Sequence, residues 1–183
     1  MRKELKILLF ASALFTISGG LLGPIYAVFV EQIGGDLLTA GGSYSAFAIS
    51  MGAIIFFISR WEDHVKHQEK MVIIGLTLSS LGFFGYLLVQ SPIHLFIIQA
   101  ILGIGGAVWI PASDSIYSKN LDKGKFASEW GLWDSIYWIS MGLSASIGGF
   151  LANIYGFRFL FAVMFFVSLA GLITSVFLIY KKK

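Results

Sequence analysis

Long runs without a charged residue constrain this chain more than any other feature. No Asp, Glu, Lys or Arg occurs between Lys6 and Glu31, between Asp36 and Arg60, or between Lys70 and Asp114. The same holds between Asp134 and Arg158 and over residues 159–180. A helix that crosses the hydrocarbon core of a bilayer needs about 20 largely apolar residues in a row. The run 71–113 is too long for one crossing. Gln90-Ser91-Pro92 divides it, because a proline drives the residue before it out of the helical region. Six spans result: residues 7–30, 37–59, two within 71–113, about 129–154, and 159–180. Of the 183 residues 57% are hydrophobic and 13% charged, against about 45–50% and about 25% in a soluble domain. That is more apolar surface than a water-soluble core of this size can bury, so the lipid bilayer is the expected solvent and partner. The strict alternation of a barrel strand is missing, and an all-α polytopic membrane protein follows.

Residues 1–30 open with Arg2 and Lys3 like a secretory leader. Their apolar run exceeds the roughly 7–15 residues of a leader, and no small-x-small cleavage site precedes Glu31, so a retained first helix is expected. Orientation follows from the basic residues. With six spans, one side carries Arg2, Lys3, Lys6, Arg60, Lys66, Lys70, Lys119, Lys123, Lys125, Lys181, Lys182 and Lys183, and the other only Arg158. Basic loops stay in the cytoplasm, so both termini are expected there and the protein in the plasma (inner) membrane. Because these cations lie between spans rather than on one face, the net charge of +3 implies no nucleic-acid partner.

The chain repeats itself. Ile49-Ser50-Met51-Gly52 in the second span recurs as Ile139-Ser140-Met141-Gly142 in the fifth. A small residue follows seven on from each glycine (Ser59, Gly149), then Asp63 or Asn153 four further. Glycines followed by proline match the first span (Gly19, Gly20, Gly23, Pro24) to the fourth (Gly103, Gly105, Gly106, Pro111). Each repeat, about 1–89 and 93–183 within one membrane domain, then holds three helices. An odd number inserts the second copy upside down, an architecture recurrent in secondary transporters.

On these residues the chain resembles a six-helix half of a major facilitator superfamily transporter over essentially its whole length. The stretch from Gln99 through Gly103, Gly105 and Gly106 to Pro111 is similar to the family's glycine-rich fourth helix, and Ser146-Ile147-Gly148-Gly149 to its fifth. Gly149, Asn153, Gly156 and Arg158 resemble the loop signature G-x-L-A-D-x-x-G-x-R in its symmetry-related position. The principal copy after the second span keeps its acid as Asp63 but has Ser59, His64, and Lys66 or His67 at the other positions. Gln99 stands where proton-coupled drug exporters of the family carry a buried arginine, and Ser144-Ala145 where antiporters carry Gly-Pro. The family usually has twelve spans.

Gly142, Gly148 and Gly149 on the fifth span, and Gly103 and Gly106 on the fourth, suit close helix packing. An ionisable group in a span costs roughly 2.5–3.5 kcal/mol on insertion scales and marks a functional candidate. Two readings are open for Asp114, a boundary salt bridge to Lys119 or Lys123 and a role in transport. For Asp134, deeper in its span and flanked at helical spacing by Trp130, Tyr137, Trp138 and Met141, the transport role is favoured. Trp130 and Trp133 suit an interfacial belt; Trp138, a turn deeper, and Trp109 suit a cavity wall. No HExxH, P-loop or GxSxG motif occurs, so enzyme chemistry has no residues to stand on, and no metal or other cofactor is implied.

The expectation is therefore a half-size secondary transporter of a small solute. It would work as a homodimer, because six helices supply one wall of a midplane cavity that a second copy completes. Tyr26, Gln99, Asp114, Asp134, Tyr137 and Trp138 are the expected contacts, and proton coupling is open through the carboxyls. A non-transporting membrane scaffold and a split transporter with a separate six-helix second half are the alternatives.

Overall fold

The computed structural model describes residues 3–180; Arg2 and Lys181, Lys182 and Lys183, used above for orientation, lie outside them. Every regular element among the described residues is helical: α1 (Lys3–Gly20), a 3-10 turn (Gly23–Ile25), α2 (Tyr26–Gln32), α3 (Leu37–Glu62), α4 (Gln68–Tyr86), α5 (Pro92–Lys119) and α6 (Phe126–Tyr180). Four segments, Glu4–Gln32, Leu37–Glu62, Pro92–Lys119 and Phe126–Ile179, are long and apolar enough to cross a membrane.

Three of the expected spans take a different form. Residues 7–30 are not one helix: α1 stops at Gly20, and Pro24 sits inside the 3-10 turn before α2 begins. Proline lacks an N–H and its ring crowds the preceding turn, which breaks a helix. The last two spans instead form α6, of 55 residues. At about 1.5 Å per residue that is roughly 80 Å, more than twice the about 30 Å of a hydrocarbon core. The helix is kinked at Gly156, with φ 79° and ψ 169°, a backbone state that glycine alone adopts readily. The signature glycine of the sequence therefore marks the break.

α4 carries Glu69 and Lys70 in its first turn and is not one of those four segments, yet it lies deep in the bundle. Met71, Val72, Gly75, Leu76, Ser79, Ser80, Gly82, Phe83 and Tyr86 are all buried. By contrast the most apolar stretch of α3 is 6% buried, against 50% for Glu4–Gln32 and 44% for Pro92–Lys119. α3 therefore stands at the periphery. It starts at Asp36, whose Oδ1 accepts from the Thr39 hydroxyl at 2.7 Å and the Thr39 N–H at 2.8 Å. Those bonds favour the charged form and hold the Asp36 carboxyl below the usual carboxylate range, so this cap is intact at neutral pH and lost as pH falls through that lowered value.

Glycines set the helix contacts. A Cβ at Gly75 of α4 would lie 2.6 Å from the Trp109 nitrogen and 2.7 Å from the Gly105 oxygen of α5. Gly103 of α5 presses on Ser50 Oγ and the Phe47 carbonyl of α3, and Gly148 of α6 on the Leu21 carbonyl after α1. Gly142 meets nothing within 4 Å.

Hydrogen bonds gather the lysine-rich ends. Ser115 Oγ and Lys119 Nζ both donate to Gln68 Oε1, at 3.0 and 2.9 Å, and Gln68 Nε2 donates to the Glu62 carbonyl at 3.4 Å. The Tyr117 hydroxyl donates to the Glu129 carbonyl, and the Asp122 N–H to Glu129 Oε2 at 3.0 Å. The ends of α3 and α5 and the starts of α4 and α6 thus share one face of the bundle. At the opposite face Phe29, Tyr86 and Phe161 pack ring on ring, with centroids 4.7 Å apart for Phe29–Phe161 and 5.1 Å for Tyr86–Phe161.

Replacing Gly148 with Ala forces a methyl into the Leu21 carbonyl and should destabilise the fold by about 1–3 kcal/mol, the usual cost of overpacking. Gly142→Ala, pointing into open space, should change stability by less than about 0.5 kcal/mol. Thermal unfolding of both variants in mild detergent measures the contrast.

Candidate functional site

The helices enclose a cavity of about 530 Å³, within the range of about 300–1,000 Å³ typical of small-molecule sites. α1 contributes Ser12, Thr16 and Phe15, α2 Tyr26, α3 Tyr44, Phe47 and Met51, α4 Phe83 and Tyr86, α5 Gln99, Trp109 and Asp114, and α6 Trp133, Tyr137, Met141 and Met164. Asp114 is the one charged side chain among the lining residues.

The walls come from helix periodicity. On α6, Trp133, Tyr137 and Met141 follow at intervals of four and face the cavity. Asp134, Trp138 and Gly142 lie one residue on, turned by about 100°, and all three are exposed and absent from the lining. Trp138 is 68% exposed. The expected pairing of Asp114 with Asp134 in one cavity is therefore not what the structure assembles: Asp114, Gln99, Tyr26 and Tyr137 all line the cavity, while Asp134 and Trp138 lie on the outer surface of α6. The tryptophan roles are exchanged as well. Trp133 lines the cavity and packs on Tyr117 at 4.7 Å, whereas Trp138 stacks edge-on against Tyr137 at 5.2 Å outside the lining. Trp109 takes the wall position expected of it, 6.1 Å from the Phe15 ring.

The polar groups differ in how far they are committed. Tyr26 shares a hydrogen bond of 2.6 Å with Ser43, whose hydroxyl also reaches the Thr39 carbonyl at 2.7 Å. Gln99 is 6% exposed. Asp114 is half-buried, and among the described residues its carboxyl has no ion-pair partner; Lys119 is engaged with Gln68 instead. A second carboxyl, Glu62, is 2% exposed with neither oxygen hydrogen-bonded, but it lies at the end of α3 outside the lining. Among the described residues no group of three or more His, Asp or Glu is placed to hold a metal.

The loop-signature residues lie apart from the cavity. Asp63 caps the end of α3, and Asp63, Asn153 and Arg158 are exposed. Gly149 has open space beside it, and Gly156 makes the kink. Sequence reasoning missed the methionines. A Cβ at Gly106 would lie 3.3 Å from the Met51 sulfur, and one at Gly20 3.1 Å from the Met141 sulfur. These are the matching methionines of the Ile-Ser-Met-Gly repeat, each on a glycine of a matched helix, and the repeat itself was the signal that could have found them.

The described helices form an apolar, membrane-length bundle around a solute-sized cavity. A family model for the Major Facilitator Superfamily matches residues 8–183, and the chain belongs to that superfamily. It is 27% identical over 161 residues to the uncharacterized MFS-type transporter YitZ of Bacillus subtilis, covering 82% of this chain and 93% of that protein. It is 22% identical over 156 residues to the uncharacterized MFS-type transporter MJ1560 of Methanocaldococcus jannaschii, covering 85% of this chain and 40% of that one. The fold matches a crystal structure of a peptide transporter, POT, in complex with alafosfalin, with a TM-score of 0.72 and 21% identity over 96% of this chain and 38% of that one. The chain thus spans about two-fifths of the longer relatives. The protein is an integral membrane protein of this superfamily.

The native chain has no cysteine, so single cysteines report one site each. Thr16→Cys, in the cavity, should react with a small water-soluble methanethiosulfonate at least about tenfold faster than Ile173→Cys, which is exposed on the outside of α6 where lipid is expected to cover it,. Mass spectrometry of the chain in liposomes measures both rates.

Proposed function

We propose that this chain is one half of a secondary transporter, crossing the membrane six times as two inverted three-helix repeats and moving a small solute through its cavity. The observation that carries the proposal is the cavity itself, lined from all six helices with a single carboxylate at Asp114. The six crossings are α1 with α2, α3, α4, α5, and the two parts of α6 on either side of Gly156. The reciprocal contacts Gly20–Met141 and Gly106–Met51 support the inverted repeat, because an internal two-fold relates just such pairs. The lysine-rich face is assigned to the cytoplasm of the plasma membrane by the excess of basic residues.

α3 and the first part of α6 wall the cavity on one side, and both present broad exposed faces. Ile49, Phe57, Trp138, Ile139 and Leu143 are all more than 60% exposed. Gly41, Gly52, Gly131 and Gly142 have no neighbour within 4 Å, which permits close helix approach. A second copy seated on these faces would close the cavity as the other half of a two-fold dimer. Coverage of only 40% of MJ1560 favours a second reading, in which a separate six-helix chain fills that place. In either assembly Asp114 is the coupling or solute-binding carboxyl. Asp134 belongs to the face on which the second half would dock.

Two measurements test this. A cysteine at Ser118 should be labelled only from the cytoplasmic side and one at Gln32 only from outside; labelling of both from one side overturns the six-crossing reading. Native mass spectrometry from lipid nanodiscs should give twice the chain mass, whereas a strict monomer excludes the homodimer and leaves the separate second half.

A further inference from the structure

We propose that the cavity binds a lipophilic organic cation, its positive centre held between the Asp114 carboxylate and the faces of surrounding aromatic rings. The inference rests on the reading of this cavity as the solute site and names its solute class.

The composition of the lining carries the argument. Among the described residues nine lining side chains are aromatic and three are methionine, while none is Lys, Arg or His. Ring faces carry negative potential and attract cations, tryptophan most strongly. Methionine sulfurs adapt to irregular apolar shapes. An anionic solute would meet the Asp114 carboxylate with no cation to offset it. A sugar-like solute needs many hydrogen-bonding groups, whereas most of the lining surface is apolar and the Tyr26 hydroxyl is already bound to Ser43. A lipophilic cation fits each feature: its body replaces water against rings and methionines, and its charge meets the one carboxylate.

Placement agrees with composition. Asp114 lies on α5 five residues beyond Trp109 and one turn before Tyr117. The Tyr117 ring packs 4.7 Å from Trp133, so Trp109 and Trp133 flank the stretch of α5 that carries the carboxylate. Asp114 has no ion-pair partner among the described residues, so the bound cation would supply its counter-charge in a medium where an unpaired charge is costly.

Tetraphenylphosphonium and tetraphenylborate have the same shape and opposite charge, and they make the test. The full chain in detergent is titrated with each while tryptophan fluorescence is read. Tetraphenylphosphonium should quench saturably and tetraphenylborate should neither match nor displace it. Asp114→Asn should weaken tetraphenylphosphonium binding roughly tenfold or more, with an unchanged thermal unfolding curve. Asp114→Glu should retain most of the affinity, and Glu31→Gln, exposed on α2, all of it. Equal affinity for the two ions, or for wild type and a folded Asp114→Asn, overturns the proposal. Flux of tetraphenylphosphonium into proteoliposomes is measured separately. Saturable binding without flux upholds this inference and overturns the transport reading. Flux of other solutes without phosphonium binding overturns this inference and leaves the transport reading standing.

Discussion

Backbone meeting backbone at glycine is the contact on which the rest of this molecule depends. In a hydrocarbon solvent apolar side chains gain little by leaving lipid, so helices associate through close packing and exact fit rather than by escape from water. Here Gly148 lies on the Leu21 carbonyl, Gly103 on the Phe47 carbonyl, and Gly75 against Gly105 and Trp109. Each removes the side chain that would hold two helix axes apart. α4 and α5 can then approach closely enough to bury Leu76, Val72 and Leu95 completely or nearly so, and α6 closes onto α1. Without these contacts the bundle would lack the rigid frame that leaves a cavity open at its centre.

The cavity follows from that frame. Close contact at the glycines leaves the larger side chains of the same helices to fill, or decline to fill, the space between. Phe15, Phe83, Trp109 and Trp133 line it from four helices, and Asp114 lines it from α5. A carboxylate there is expensive in a low dielectric, and among the described residues no cation pairs with it: the neighbouring lysine, Lys119, is held by Gln68 at the lysine-rich end. Structural lysine–glutamine pairing at the rim and an unpaired acid within the wall are two sides of one arrangement. They give the lining its negative character and the rim its positive one.

Much of this was readable from residues alone. The charge-free runs announced helices of membrane length, and Gly103 and Gly148 announced close packing. Superfamily membership followed from the same stretches. The misreadings were local. Pro24 broke the first run into two helices, where the apolar count allowed one. Trp138 and Asp134 looked like interior residues and lie outside, and Trp133 did the reverse. Gly142 had the character of a contact glycine but faces open space. Glu62, which the sequence did not single out, is buried.

These errors share a cause. A sequence determines which residues lie on one stripe of a helix, since the 3.6-residue turn puts Trp133, Tyr137 and Met141 together and Asp134, Trp138 and Gly142 together. In a soluble helix polarity then tells the inner stripe from the outer. In lipid both stripes are apolar and aromatic, so the rotation of the helix about its own axis carries no signature in composition. By itself, then, the sequence determined the all-helical class, the membrane length of its apolar runs and the family. The tertiary structure alone decided which stripe faced the cavity, because the glycine contacts of α6 with α1 set that rotation, and with it which of two aspartates became part of the site.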